Sequence, residues 1–262
     1  MTWPEIVAYE LNVPLFNYGK SGAGNQYIAN MICQADAIHK FNENDLVMIC
    51  WTNVCREDRY KNQSWITPGN IFTQGIYSEE YVKEWADPVG YMLRDICTIK
   101  LSINFLENVK CQFHMFSMCN IIDIVDQSQN NLLKNLFFKQ KIKEMYKNEL
   151  NQLHPDFFST LWKNDLQAHK FPRDEKQISK FFKDGHPSPE EHLEYLQHIF
   201  PNSFSEKTVN AVNEKHSFFV KHLKFLSSHY NRPFTVYELD HRENNLLAKG
   251  TTLVESQETT FI

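Results

Sequence analysis

The sequence lacks long apolar runs, an excess of basic residues and a recognisable leader. Its longest apolar run is the six-residue stretch 46–51, whereas a membrane-spanning helix needs about 20 apolar residues, so no membrane span is predicted. The net charge of -5 gives no basic surface to neutralise a phosphate backbone, so nucleic acid is not expected as a partner. Residues 1–5 lack the basic and apolar regions of a secretory signal, and we therefore expect a cytoplasmic protein.

Glycine is also scarce, with only 8 among 262 residues. Three of them, Gly19, Gly22 and Gly24, lie within six residues of one another. Because glycine alone combines an open left-handed conformation with the absence of a side chain, this window must meet backbone demands that the rest of the chain does not.

The six cysteines lie mostly in apolar stretches and not in turns. Cysteines in such positions are usually reduced and buried in intracellular proteins. We therefore predict free, buried thiols and no disulfides among Cys33, Cys50, Cys55, Cys97, Cys111 and Cys119.

Alternating apolar strands and amphipathic helices predict an α/β fold with a doubly wound, mostly parallel sheet. The run 45–51 is apolar without alternation, which is typical of a strand buried on both faces. Further strands are predicted at 13–17 and 110–118, with a possible one at 234–239. Helices are predicted at 3–11, 25–39, 78–108 with a break near 87–88, 187–200 and 205–229. We expect an α/β domain at 1–202 with a helical insertion at about 121–183, followed by a helical extension and tail at 203–262.

The glycine-rich window lies between the predicted strand 13–17 and the helix 25–39, where backbone N–H groups of the turn can bind an anion. A phosphate-binding P-loop is excluded because Pro14 stands where that motif has its first glycine. A nucleophile elbow is excluded because Ala23 stands where that motif closes with glycine. A tight turn without a further function remains the alternative.

A second candidate follows the predicted strand 45–51, where Thr52 and Asn53 begin a polar loop. Open α/β sheets bind ligands in the crevice beyond the carboxyl ends of their strands. Asn53 offers a side-chain N–H donor in that crevice, although asparagines in loops commonly serve only to form turns.

A third candidate, Asp184-Gly185-His186-Pro187, precedes the helix 187–200. A carboxylate beside an imidazole can orient it as a general base for a hydroxyl nucleophile. A metal site of Asp184, His186 and His192 lacks a ligand at a familiar spacing, so neither a metal nor another cofactor is expected. A surface turn with an incidental histidine is the alternative.

In order and spacing, the three segments resemble the second, third and fifth sequence blocks of the SGNH (GDSL) hydrolase superfamily, over residues 3 to about 200. The resemblance implies a flavodoxin-like three-layer α/β/α sandwich and hydrolysis of a small-molecule or carbohydrate ester. It further implies that the Gly22 backbone and the Asn53 side chain donate to an oxyanion, that His186 is the base and that Asp184 orients it. These residues are expected to converge at the carboxyl edge of one sheet.

The sequence departs from that family's pattern at its first block. No Gly-Asp-Ser, the family's nucleophile motif, occurs in the 262 residues, and the family's first strand would precede a segment like 3–6. Either the start of the given sequence lies downstream of the true one, or the chain is a catalytically inactive relative without a nucleophile, a binding or structural protein that holds a carbohydrate or acyl group. A nucleotide-binding α/β module is a third interpretation. In the other two blocks, Trp51 and Val54 replace a glycine and an aspartate, and only Gly185 separates Asp184 from His186.

Overall fold

A computed structural model describes residues 1–72, 77–122, 132–162 and 187–230. The described residues form a mixed α/β structure, which confirms the α/β class in its coarse form. In chain order the elements are α1 Trp3–Leu11, α2 Asn25–His39, β1 Leu46–Trp51, β2 Arg59–Lys61, β3 Ser64–Ile66, α3 Glu79–Trp85, α4 Pro88–Val109, β4 Gln112–Ser117, α5 Leu132–Met145, α6 Lys147–Leu150, α7 Phe157–Trp162, α8 Pro189–Ile199 and α9 Glu206–Tyr230.

The strands β1 and β4 form a parallel pair in which Leu46 lies opposite Gln112 and Trp51 opposite Ser117. Alternate residues of a strand share a face, so Ile49 and Trp51 point toward the same side as Met115. That side packs against helices α2 and α4 in an extensive apolar cluster. Burying one such side chain stabilises the fold by about 1.5 to 3 kcal/mol relative to leaving it exposed to water. The side chains on this face therefore form the main core of the sheet.

The other edge of β1 has no strand partner among the described residues. The Asp45 carbonyl accepts from Gln112 N and the Trp51 carbonyl accepts from Met118 N, which means that odd-numbered residues face β4. In a parallel ladder the N–H and C=O groups of the even-numbered residues, such as Met48 and Cys50, then point to the opposite edge. That edge can accept a further strand.

The predicted strand 13–17 is wrong, since residues 13–20 belong to neither a helix nor a strand. Val13 and Phe16, which the prediction placed in a sheet, are 50% and 55% exposed. Apolar residues form a strand only when a neighbouring strand satisfies their backbone groups, and the described residues provide none here. The parallel sheet therefore has two strands within the described ranges, and the predicted polar loop after β1 carries the small antiparallel pair β2 and β3.

Most helix bounds agree with the sequence patterns because their ends carry clear signals. The predicted break at 87–88 is confirmed, since the Asp87 carboxylate accepts from Val89 N at 3.0 Å and Pro88 begins α4. Helix α8 begins with a capping box between Ser188 and Glu191. None of the helices in the described ranges is long and apolar enough to cross a membrane.

The chain divides into two compact units. Of the described residues, one unit comprises those within 18–157 and contains the parallel pair, and the other comprises 1–17, 158–162 and 187–230. In the latter, helices α1, α8 and α9 pack around Ile6, Leu196 and Val212. The predicted division at 202/203 stays a prediction.

Candidate functional site

The glycine-rich turn leading into α2 requires glycine at two positions for steric reasons. Gly22 has a φ of +74°, and a Cβ added there would lie 2.3 Å from the carbonyl oxygen of Thr67. A Cβ on Gly24 would lie 2.7 Å from Oδ2 of Asp58. The predicted backbone demands of this window are therefore confirmed at Gly22 and Gly24, and they come from close contact with the segment after β1.

Asn25, the first residue of α2, joins the turn to the end of β1. Its Nδ2 donates to the Thr52 carbonyl at 3.1 Å, and its Oδ1 accepts from Thr52 N at 2.8 Å. The same Nδ2 donates to Oδ2 of Asp95 on α4 at 2.8 Å. The side chain is fully buried. The loops that carry Gly22 and Asn53 are thus fastened to each other within one unit.

The amide of Asn53 has a fixed orientation at the carboxyl end of β1. Its Oδ1 accepts from the backbone N–H of Cys55 at 2.8 Å, so Nδ2 points away from that turn. The side chain is partly exposed, and its Nδ2 makes no hydrogen bond within the described part of the chain. Gly22 N likewise has no hydrogen-bond partner among the described residues. Both atoms remain available as donors to a bound group.

Asp58 occupies the N-terminus of α2. Its Oδ1 accepts from Gly24 N and its Oδ2 accepts from Tyr27 N, both at 2.8 Å. A carboxylate at this position accepts hydrogen bonds from N–H groups that have no partner within the helix, and its negative charge interacts favourably with the positive end of the helix dipole. Because those amides are already paired, they are not free for an external phosphate, which argues against the nucleotide-binding interpretation.

A largely buried network of charged side chains, centred on Arg94, binds the loop that follows β1. Nε of Arg94 donates to Asp95 at 2.7 Å, its Nη2 donates to the Arg56 carbonyl at 2.9 Å, and its Nη1 lies 3.3 Å from Oε2 of Glu57. The Tyr91 hydroxyl donates to Glu57 at 2.6 Å. Burial raises the pKa of Asp95 to about 6, although the hydrogen bond and charge of Arg94 lower it. The network fixes the loop that carries Asn53.

Sequence reasoning missed Asn25, Asp58 and Asp95, because each resembles an ordinary helix or loop residue in the sequence. Asn25 follows a glycine at a helix start, a position where asparagine is common. Asp95 does carry a signal, since it interrupts the apolar pattern of α4 and is fully buried there. A charged residue at a core position indicates a buried partner, here Arg94 and Asn25.

His186 and Asp184 lie outside the described residues. Their expected convergence with Gly22 and Asn53 therefore stays a prediction. Within the described ranges, no three His, Cys, Asp or Glu side chains are grouped closely enough to coordinate a metal ion.

All six cysteines lie in described segments and are free thiols. The prediction of burial is wrong for Cys33 and Cys97, which are exposed. Both lie on helices, where residues one or two positions apart in the sequence can lie on opposite faces, one buried and one exposed. Burial raises the pKa of Cys50 and Cys55 to about 12, so these thiols near the end of β1 are poor nucleophiles at neutral pH.

No protein-family model, curated protein or solved structure matches this chain. The resemblance to SGNH hydrolases thus rests on the sequence segments, and the local geometry at Gly22 and Asn53 is the structural information that bears on it.

Proposed function

We propose that this chain is the scaffold of an SGNH-type ester hydrolase with its site at the carboxyl end of β1. In this proposal Gly22 N and Asn53 Nδ2 donate to the oxyanion of a tetrahedral intermediate. His186 removes the proton of a serine hydroxyl, and Asp184 orients the imidazole. The substrate is a small-molecule or carbohydrate ester bound in the crevice of a flavodoxin-like sheet.

The observation that carries the proposal is the fixed amide of Asn53. An oxyanion hole needs donors that are oriented before the reaction begins, and each such donor changes kcat by about 10²- to 10³-fold. The bond from Cys55 N to Oδ1 orients the amide without using its N–H groups. Asn25 connects the same loop to the turn of Gly22 through the backbone of Thr52.

The unpaired edge of β1 is consistent with a nucleophile on a neighbouring strand. In the SGNH family the first strand pairs beside the strand equivalent to β1 and ends in Gly-Asp-Ser. A parallel strand along this edge would end at the same side of the sheet as Asn53, since parallel strands share their carboxyl edge. We therefore propose that the nucleophile belongs to a strand paired along that edge.

The test compares hydrolysis of p-nitrophenyl acetate by the 262-residue chain and by variants carrying a strand that ends in Gly-Asp-Ser ahead of residue 1. We expect a rate above background only with Gly-Asp-Ser and not with the matched Gly-Asp-Ala strand, because the hydroxyl is the nucleophile. Within the active variant, His186→Ala should abolish the rate.

Asn53→Asp separates the oxyanion role from a structural one. The aspartate retains an acceptor for Cys55 N but loses the amide donor, so kcat should fall by at least about 10²-fold while the unfolding midpoint stays close to that of the parent. An unchanged kcat would contradict the role of Asn53. Strong activity in the chain without an added strand, abolished by His186→Ala, would instead place the nucleophile among its own serines.

A further inference from the structure

A cavity opens beyond the carboxyl end of β4, in the same unit as β1. It has a volume of about 520 Å³ and lies between the end of the strand, the segment 120–122, helices α5 and α6 and the segment 150–156. Cavities of roughly 300 to 1,000 Å³ are the size that binds small organic ligands. Its place at the end of a parallel strand is also where α/β sheets bind ligands.

Several residues that line this cavity offer hydrogen-bond donors that have no partner in the described structure. Lys143 lies in the last turn of α5 and Lys147 begins α6, and neither ammonium group forms an ion pair in the described structure. Ser117 is only 3% exposed, and its hydroxyl makes no hydrogen bond within the described segments. Asn120 uses its Oδ1 to accept from Ile122 N at 3.0 Å, which directs its two N–H groups elsewhere. A hydroxyl that opens into a cavity from a nearly buried residue, without a protein partner, can donate to a ligand there.

Much of the remaining lining is apolar or acidic. Ile121 and Ile122 are each 3% exposed and, with Leu150 and Leu153, give the cavity an apolar floor. Two carboxylates also line it. Glu144 accepts from Gln140 at 3.1 Å, and Asp156 lies on the opposite segment.

We infer that this cavity binds a small organic anion, with its apolar body on the isoleucine floor and its oxyanion group between Lys143 and Lys147. Ser117 and Asn120 donate to the same group or to a polar substituent beside it. The two lysines supply charge attraction, and the floor supplies the apolar contact that an inorganic ion cannot use. This inference does not depend on the ester hydrolase activity, since it needs neither His186 nor a nucleophile.

Isothermal titration of the 262-residue chain with four probes tests the ligand class: octanoate, octyl phosphate, inorganic phosphate and 1-octanol. We expect an alkyl anion to bind at least about tenfold more tightly than 1-octanol and than inorganic phosphate. The ratio between octanoate and octyl phosphate identifies the preferred head group. Binding of 1-octanol as tight as that of the alkyl anions, or no binding of either alkyl anion at millimolar concentration, overturns the inference.

Charge variants then locate the site. The double variant Lys143→Gln and Lys147→Gln should weaken binding of the preferred anion by about tenfold, since each partly exposed charge pair contributes up to about fivefold. The matched control, Lys83→Gln with Lys141→Gln, removes the same charge from exposed lysines outside the cavity and should leave affinity within about twofold. Ser117→Ala should weaken binding without changing the effect of salt. Equal losses in the two double variants would mean that net charge, and not this cavity, governs binding.

Discussion

Replacement of Asn25 by alanine is expected to destabilise the fold more than any other single amide substitution in α2. The substitution removes three hydrogen bonds of 2.8 to 3.1 Å from a side chain with no solvent exposure. It leaves the N–H and C=O of Thr52 and the carboxylate of Asp95 short of a partner in the protein interior. Each buried unsatisfied group costs about 1 to 3 kcal/mol, so we expect a loss of about 3 to 5 kcal/mol.

Urea unfolding followed by circular dichroism measures this loss as a shift of the midpoint at constant slope. Asn30→Ala is the matched control, because Asn30 lies on the same helix, is exposed and donates only to the Gln26 carbonyl. That variant should change stability by less than about 0.5 kcal/mol, since alanine favours the helix. The two substitutions remove the same atoms, so the difference between them isolates the buried contacts.

A loss below about 1 kcal/mol for Asn25→Ala would refute the reasoning. It would mean that the loops of Gly22 and Asn53 do not depend on this side chain, or that water replaces it at no cost. A changed slope with an unchanged midpoint would also count against it, because the substitution would then act on the unfolded state or on the two-state character of unfolding and not on these native contacts.

Three further outcomes follow from the structure. Gly22→Ala should lower the free energy of unfolding in urea by at least about 2 kcal/mol, because Gly22 has a φ of +74° and an added Cβ would lie 2.3 Å from the Thr67 carbonyl oxygen. Gly90→Ala should raise it by about 0.5 to 1 kcal/mol, since the added Cβ would meet nothing closer than 3.6 Å. Equal effects of the two substitutions would contradict this. The pKa of Asp95 rises from 3.8 to about 6 in the folded protein, mainly through burial, so the fold binds this proton more tightly than the unfolded chain does. Stability relative to Asp95→Asn should therefore rise by about 2 kcal/mol as pH falls from 7 to 4, and a constant difference would refute the shift. Thiol titration should find all 6 cysteines free after unfolding without reductant, and rapid reaction only of the exposed Cys33 and Cys97 in the native protein; rapid native reaction of Cys55 would contradict its burial.

Local signals in the sequence were sufficient for most of the helices and for the parallel strand pair. Pro88 after Asp87 and the capping box at Ser188 mark ends by side-chain chemistry that acts within four residues. The predicted strand 13–17 failed because strand formation depends on a partner far along the chain, which an apolar pattern cannot reveal.

The candidate site shows the same distinction between local and distant determinants. Its position after β1 and the need for glycine at Gly22 were predictable from the order of the elements. The contacts that fix it were not, since Asn25 meets Asp95 across 70 residues and Asp58 reaches back 34 residues to Gly24. Only the fold specifies such pairs.

Covalent labelling of the nucleophile tests the central proposal most directly. The variant with an added strand ending in Gly-Asp-Ser is incubated with a fluorophosphonate, and the adduct is located by mass spectrometry of peptides. We predict one adduct, on the serine of that motif, that is lost in His186→Ala and in protein unfolded with urea, because only an activated serine reacts at a useful rate. An adduct on Ser21 or another serine of the 262 residues, or no adduct at all in the folded variant, would contradict a nucleophile strand paired along β1.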